Sequence, residues 1–141
     1  MVPGPPAEAI SWIDATAVTN DAGEPQLSGM AEARATGKPI VIFATTRREY
    51  RAAEMQAAAT FEQNVLREAG VVAQLRECVC LRVMVDELPG ALRRSLHLRL
   101  AVPMLVVLSP ADGKRLIECD GATTAAQLAA GLAKIRATPG K

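Results

Sequence analysis

Residues 38–55 read KPIVIFATTRREYRAAEM, and this stretch decides the fold. Its first half runs from Ile40 to Phe43 through β-branched and aromatic side chains, which is typical of a strand buried on both faces. Thr46 and Glu49 are spaced as a capping box, in which the threonine oxygen accepts a helix N–H and the carboxylate reaches back to the cap's own N–H. The stretch therefore predicts a buried strand that leads directly into a helix, a junction where ligands gather in open α/β sheets.

The composition limits both the size and the partners of the protein. A chain of 141 residues is long enough for one domain with one core, and the low aromatic content of 3% means that aliphatic side chains must build this core. Sixteen basic and fifteen acidic residues leave a formal charge of +1, which gives no general attraction for nucleic acid or for anionic membranes. No apolar run approaches the roughly 20 residues of a membrane span. We therefore expect no nucleic-acid binding and no membrane insertion.

The two ends of the chain differ from its middle. Residues 1–9 contain three prolines and no basic segment of the kind that opens a secretion signal. We predict a disordered lead at 1–9, a single domain at 10–137 and a disordered tail at 138–141. As written, the sequence indicates a cytoplasmic protein, and it would fit a periplasmic or secreted one if a leader has been removed.

Apolar runs and periodicity predict an alternation of strands and helices. The strands are expected at 10–13, 39–44, 78–85, 104–108 and 115–119. The helices are expected at 29–36, 47–59, 64–75, 91–98 and after Thr124. Together they predict an α/β fold with a central sheet of four to five strands and helices on both faces, in which 39–44 and 78–85 form a parallel pair.

Finer features of these elements are also predicted. Ser28 should cap the helix that ends at Gly37, and residues 14–26 should form a loop. A break at Thr60-Phe61 should precede a helix that starts at Asn64. The expected inward-facing residues are Ala52, Met55, Ala58 and Ala59, then Val65, Ala69, Val72 and Leu75, then Leu92, Ser95 and Leu96, and finally Leu128, Leu132 and Ile135.

This order of elements resembles the thioredoxin fold, and the resemblance implies a mixed sheet in which 39–44 lies between 78–85 and 104–108. The sequence is similar to thioredoxin-like proteins related to the C-terminal domain of the transmembrane thiol:disulfide reductase. The residues that carry the resemblance are Trp12, Gly37-Lys38-Pro39, Phe43, Met55, Phe61, Val65, Asp86, Val102-Pro103, Ser109-Pro110, Asp112-Gly113 and Gly121. It covers roughly residues 10–137.

The sequence departs from that family at the site of its chemistry. The family carries Cys-x-x-Cys where the strand meets the helix, because the helix dipole favours a thiolate there. Counting from Phe43 puts Arg48 and Arg51 at the two cysteine positions, and counting from Met55 puts Glu49 and Ala52 there. Neither register supplies a thiol, so the comparison favours a domain that is redox-inactive and not an enzyme.

What replaces the thiols predicts a binding surface. The resemblance implies that Pro103 is a cis-proline and that the backbone of the residue before it pairs with an extended peptide. The three arginines of 47–51 fall at a helix start, where N–H groups and guanidinium groups favour an acidic ligand. The hypothesis is a surface that binds a protein or an extended acidic peptide, with no cofactor and no metal. Its residues are Thr45, Thr46, Arg47, Arg48, Glu49, Tyr50, Arg51, Val102, Pro103 and Met104.

Other interpretations remain open. The arginines also fit a solvated helix face with Glu49 and Glu54 as counter-charges, or a site for a small anion. Cys78 and Cys80 lie two residues apart on a predicted strand and fit either buried apolar positions or a redox pair. Cys119, near an edge strand, is expected to be accessible. The alternative function is therefore a thiol-disulfide oxidoreductase that uses Cys119 or the Cys78/Cys80 pair.

Overall fold

The apolar run after Pro39 forms the central strand of the sheet. The computed structural model describes residues 12–19, 22–46, 52–96, 98, 102–109, 114–120 and 123–136. The strands are β1 (Ile13–Asp14), β2 (Ala17–Thr19), β3 (Pro25–Leu27), β4 (Ile40–Thr45), β5 (Val79–Met84), β6 (Met104–Leu108) and β7 (Arg115–Asp120). The helices are α1 (Met30–Thr36), α2 (Ala52–Phe61), α3 (Ala69–Leu75), α4 (Gly90–Ser95) and α5 (Ala125–Arg136). A π-helical turn (Glu62–Leu66) follows α2, and a 3-10 turn (Val85–Glu87) follows β5.

The main sheet has five strands in the order β1-β5-β4-β6-β7. Strand β4 pairs in parallel with β5, from Ile40 beside Val79 to Thr45 beside Met84, and antiparallel with β6. Strand β7 pairs antiparallel with β6, and β1 pairs in parallel with β5. The predicted order is confirmed. The predicted edge strand is found beside β5, but among the described residues it covers Ile13–Asp14 and excludes Trp12, whereas Ile10 and Ser11 lie outside the described residues.

Strand β4 is buried because each face of the sheet carries its own cluster of apolar side chains. Successive residues of a strand point to opposite faces. Ile40, Ile42 and Ala44 pack with residues of α1, α4 and β5, whereas Val41 and Phe43 pack with α2, α3, α5 and the π-helical turn. All five are 0–1% exposed. The helices therefore cover both faces, as the continuous apolar run predicted.

The three aromatic residues that the structure describes, of the four in the sequence, lie together in or against the second cluster. The ring centroids of Trp12 and Phe43 lie 5.9 Å apart, and those of Phe43 and Phe61 are also 5.9 Å apart. The Arg82 guanidinium lies 5.9 Å from the centroid of the Trp12 ring and donates to Glu62 Oε2 at 3.1 Å. These contacts join the segment before β1, the π-helical turn and the sheet.

Helix α2 continues where the sequence predicted a break. It runs through Thr60-Phe61 into the π-helical turn without interruption, and α3 begins only at Ala69, not at Asn64. The Glu68 side chain caps α3 by accepting from the Gly70 N–H at 2.8 Å. A π-helical turn has an extra residue, which lets Phe61, Val65 and Leu66 all face the core.

The inner face of α2 also differs from the prediction. Ala52, Met55 and Ala59 are exposed, whereas Ala58 and Phe61 are buried. The segment is rich in alanine, so its apolar residues lie all around the helix and do not define one face. In α3 the buried positions are Val71, Val72 and Leu75, whereas Ala69 is exposed.

Part of the predicted loop at 14–26 is a β-hairpin, in which β2 and β3 pair antiparallel. Ser28 does not cap α1, because its Oγ accepts from the Thr16 N–H at 3.1 Å and so closes this hairpin. Gly29 takes the N-cap position of α1 without a side-chain hydrogen bond, and Gly37 ends the helix as predicted.

The last helices agree more closely with the sequence. Thr124 and Gln127 form a reciprocal capping box at α5, with hydrogen bonds of 3.1 and 2.9 Å. Leu128 and Leu132 of α5 are buried and Ile135 is half-buried. Near α4 the buried residues are Leu92 and Leu96, whereas Ser95 is exposed and donates to the Leu92 carbonyl.

Within the described ranges, no helix has both the length and the apolar character to cross a membrane.

The two glycines that flank α1 provide a test of the packing. Gly29 (φ +92) and Gly37 (φ +75) both have left-handed backbone. A Cβ on Gly29 would lie 2.9 Å from Leu81 Cδ2, whereas a Cβ on Gly37 would meet nothing within 4 Å. We expect Gly29→Ala to cost about 2–4 kcal/mol and Gly37→Ala about 1–2 kcal/mol in the free energy of unfolding, measured in urea. Equal costs would contradict the close contact between α1 and β5.

Candidate functional site

The carboxyl end of β4 meets the amino end of β6 at one edge of the sheet. Ala44 pairs with Met104 in an antiparallel register, so Thr45 and Pro103 are the next residues at the same edge. The Val102-Pro103 peptide bond is cis. We call this region the site edge and define it as Thr45, Thr46 and Val102–Met104. The fold thus brings together the two described segments of the predicted binding surface, which lie more than 50 residues apart in the sequence.

The side chains of the site edge are mostly inaccessible. Thr46 is 3% exposed and Met104 1% exposed, and Pro103 is buried as well. Thr45 and Val102 are half-buried. The sequence did not separate these two groups, because it does not show which side chains the neighbouring elements cover. A ligand at this edge can reach backbone groups and the half-buried residues more readily than the three buried side chains.

Asp86 is a residue at this edge that the predicted surface did not include. It follows β5 in the 3-10 turn, and its carboxylate accepts a hydrogen bond from the Thr46 hydroxyl. The signal in the sequence is that both residues come within two positions of the ends of neighbouring parallel strands, whose carboxyl ends meet at one edge. This bond fixes the ends of β4 and β5 relative to each other at the start of the predicted helix.

Five residues of the predicted surface cannot be placed. The residues that lie outside the described part of the chain are Arg47, Arg48, Glu49, Tyr50 and Arg51. Of the four candidate positions for the missing cysteines, only Ala52 is described, at the start of α2. The capping box between Thr46 and Glu49 and the binding of an acidic ligand by the arginines therefore remain predictions.

The first two cysteines are held at the end of α3. The Cys78 thiol donates to the Gln74 carbonyl at 3.7 Å, and the Cys80 thiol donates to the Leu75 carbonyl at 3.6 Å. Both pack in or against the second cluster, although Cys78 precedes β5 instead of lying in it. Burial raises the pKa of the Cys80 thiol from 9.0 to about 12, and the neighbouring Cys78 adds to this shift. Such a thiol stays protonated and is a poor nucleophile.

Cys119 was expected to be accessible, and this was wrong. It lies on the edge strand β7, but its side chain points under α5 and is 3% exposed. Burial raises the pKa of the Cys119 thiol to about 11; a hydrogen bond with Thr123 lowers it in part, and the Asp120 and Glu118 carboxylates raise it further. An edge strand leaves its backbone uncovered, whereas the exposure of its side chains depends on the face they occupy.

Within the part of the chain that the structure describes, no group of histidine, cysteine, aspartate and glutamate side chains is arranged to hold a metal ion. Cysteine occurs in the sequence only at 78, 80 and 119, and all three are free thiols. The polar groups described at the site edge are the backbone and the two threonine hydroxyls, with the Asp86 carboxylate beside them.

No family model matches the chain, and no curated protein matches it. Among solved structures it is similar to a thioredoxin from Thermus thermophilus, with 21% identity and a TM-score of 0.60 over 79% of this chain and 83% of that one. It is also similar to a DsbH oxidoreductase, with 15% identity and a TM-score of 0.55 over 97% of this chain and 90% of that one. At these identities the likeness shows the fold alone, and the chain has the thioredoxin-like fold that its sequence predicted.

The buried thiols should give the stability a specific pH dependence. Well below the ordinary thiol pKa of 9.0, both Cys80 and Cys119 are protonated in the folded and the unfolded chain, so they contribute no pH dependence. Between pH 9 and 11 the unfolded chain loses these protons and the folded chain retains them. The free energy of unfolding should therefore fall as pH rises, by up to about 1.4 kcal/mol per pH unit for each thiol.

Urea unfolding at pH 8, 9, 10 and 11 measures this slope. The Cys80→Ala/Cys119→Ala variant is the control, because it keeps every other titrating group and should show a shallower slope. Equal slopes in the two proteins would mean that the thiols titrate normally in the folded chain.

Proposed function

Given its thioredoxin-like fold, we propose that this chain is a redox-inactive binding module that holds an extended protein segment at the site edge. The observation that carries the proposal is the position of Val102. This residue lies beside the end of β4, one residue before Pro103, and is half-buried. Among the hydrogen bonds between described residues, none uses the N–H or the C=O of Val102. An extended chain binds to such a backbone donor and acceptor by adding a short strand.

The surroundings of Val102 support a ligand that pairs through its backbone. Pro103 and Met104 are buried, so this segment cannot offer large side chains to a partner. Pairing through the backbone gives affinity without requiring a particular sequence, and the adjoining side chains add specificity. A protein segment suits this edge better than a metabolite, because a metabolite would need several convergent side chains.

The absence of thiol-disulfide chemistry is the second half of the proposal. A redox thiol needs a lowered pKa and access to solvent, and the pKa values of Cys80 and Cys119 are raised in buried positions. The sequence has no cysteine before Cys78, so none lies at the end of β4. These features weigh against the alternative of an oxidoreductase that uses Cys119 or the Cys78/Cys80 pair.

The acidic character of the partner rests on the sequence. Arg47, Arg48 and Arg51 lie outside the described residues, and their position directly after Thr46 in the chain supports an acidic segment over a neutral one. A small anion would use the arginines alone, whereas a peptide would use the arginines together with Val102. The two interpretations therefore differ in whether Val102 responds to the ligand.

The binding experiment uses an extended acidic probe, the peptide acetyl-Thr-Val-Glu-Val-Glu-Thr-amide. Titration into the ¹⁵N-labelled protein should shift the amide signals of residues 45–46 and 84–87 and those of Val102 and Met104, with affinity that falls as salt is added. The same peptide with Gln in place of Glu tests the charge, and inorganic phosphate tests the small-anion alternative. Shifts confined to the α5 face would contradict the proposal.

Charge reversal tests the arginines within the same assay. The Arg48→Glu/Arg51→Glu variant should weaken binding of the acidic peptide by about tenfold or more, since charge-assisted hydrogen bonds are lost and repulsion is added. Arg67→Glu/Arg76→Glu changes the net charge equally on exposed residues near the ends of α3 and should leave the affinity nearly unchanged. Equal losses in both variants would indicate non-specific attraction.

Redox inactivity has a separate test. We expect the protein not to reduce insulin disulfides in the presence of dithiothreitol beyond the uncatalysed rate. The variant with all three cysteines replaced by alanine should bind the acidic peptide as the natural chain does. Insulin reduction that disappears in Cys119→Ala alone would favour the oxidoreductase alternative.

A further inference from the structure

One residue of α4 holds Leu98, which precedes Val102 by four positions in the sequence. The Leu98 N–H donates to the Arg93 carbonyl at 3.0 Å, and the Arg93 Nη1 donates to the Leu98 carbonyl at 3.3 Å. Both backbone groups of Leu98 are therefore bonded to Arg93, while the Leu98 side chain is 2% exposed in the first core cluster. Leu98 is thereby fixed in position and in the orientation of its peptide groups.

The position of Leu98 matters because few residues separate it from Val102 in the sequence. Only residues 99–101 lie between Leu98 and Val102, and Met104 is already paired with Ala44 in the sheet. The segment that contains Val102 is thus held at Leu98 on one side and at Met104 on the other. A short segment with two fixed ends has fewer conformations to lose when a ligand pairs with it.

The neighbouring arginine offers a natural comparison. Arg94 is the next residue of the same helix and carries the same charge, but its guanidinium lies over Gly90, at the amino end of α4. Arg94 is exposed and Arg93 is half-buried. The two residues therefore share helix and charge and differ in the contact with Leu98.

From this geometry we infer that Arg93 is a positioning residue for the peptide-binding edge, which acts by orienting the Leu98 carbonyl and so restricting Val102. The inference rests on the proposed function for the identity of the ligand. The ordering of Val102 by Arg93 does not depend on any ligand. The guanidinium holds a carbonyl at the carboxyl end of a helix, where a cation is also favoured by the helix dipole.

The first measurement is made on the free protein. Arg93→Met keeps most of the apolar stem and removes the donor, so the ¹³C′ signal of Leu98 should shift. The ¹⁵N order parameter of Val102 should fall from about 0.85, a rigid value, toward about 0.6. Arg94→Met should change neither signal. Arg93→Lys, which restores a cationic donor on a flexible stem, should recover part of the order at Val102.

The second measurement is the affinity for acetyl-Thr-Val-Glu-Val-Glu-Thr-amide. Arg93→Met should weaken binding about three- to tenfold, with partial recovery in Arg93→Lys and little change in Arg94→Met. An unchanged order parameter at Val102 in Arg93→Met would overturn the inference, and so would equal losses of affinity in Arg93→Met and Arg94→Met. If the natural chain binds no peptide, the proposed function fails. In that case the order parameter of Val102 alone decides whether Arg93 orders Val102.

Discussion

The burial of β4 on both faces is the constraint on which the rest of the structure depends. A strand with no exposed face needs neighbours on both edges and helices above and below it. Strand β5 pairs with one edge of β4 and β6 pairs with the other, and the side chains of the two apolar clusters cover its two faces. Because β5 runs parallel to β4, the chain must cross from one end of the sheet to the other between them, and α2, the π-helical turn and α3 make that crossing.

The same constraint creates the site edge. Since β4 is central, its carboxyl end lies between the end of β5 and the start of β6, so Thr46 meets Asp86 while Val102 and Pro103 lie beside Thr45. The mixed direction of the sheet matters here, because an antiparallel β6 begins where β4 ends.

The thiols lie outside the site edge, at the second cluster. Cys80 and Cys119 lie in this cluster as small apolar side chains, and burial raises the pKa of both thiols, whereas Cys78 packs against the cluster.

The accuracy of the sequence predictions followed the strength of the local pattern. Strand β6 was placed at its observed bounds, because a short apolar run follows a proline and ends at a turn signal. Alanine-rich α2 was given the wrong inner face, since alanine packs inside or outside at similar cost. Ser28 was assigned a cap from its residue type, but a hydroxyl accepts from whichever donor the fold brings near, here the Thr16 N–H. The exposure of Cys119 depended on the placement of α5, which no local pattern reports.

The sequence by itself determined the fold class, the order of the strands and the lack of a thiol at the end of β4. The fold class and the missing thiol follow from hydrophobic periodicity and residue identity, which can be read locally along the chain. The order of the strands followed from the resemblance of the whole succession of elements to the thioredoxin fold. Only the tertiary structure decided which side chains the site edge leaves accessible, that Asp86 belongs to it and that Arg93 bonds to Leu98. These contacts join segments whose relative positions depend on the packing of the whole core. The sequence around each contacting residue therefore does not specify its partner.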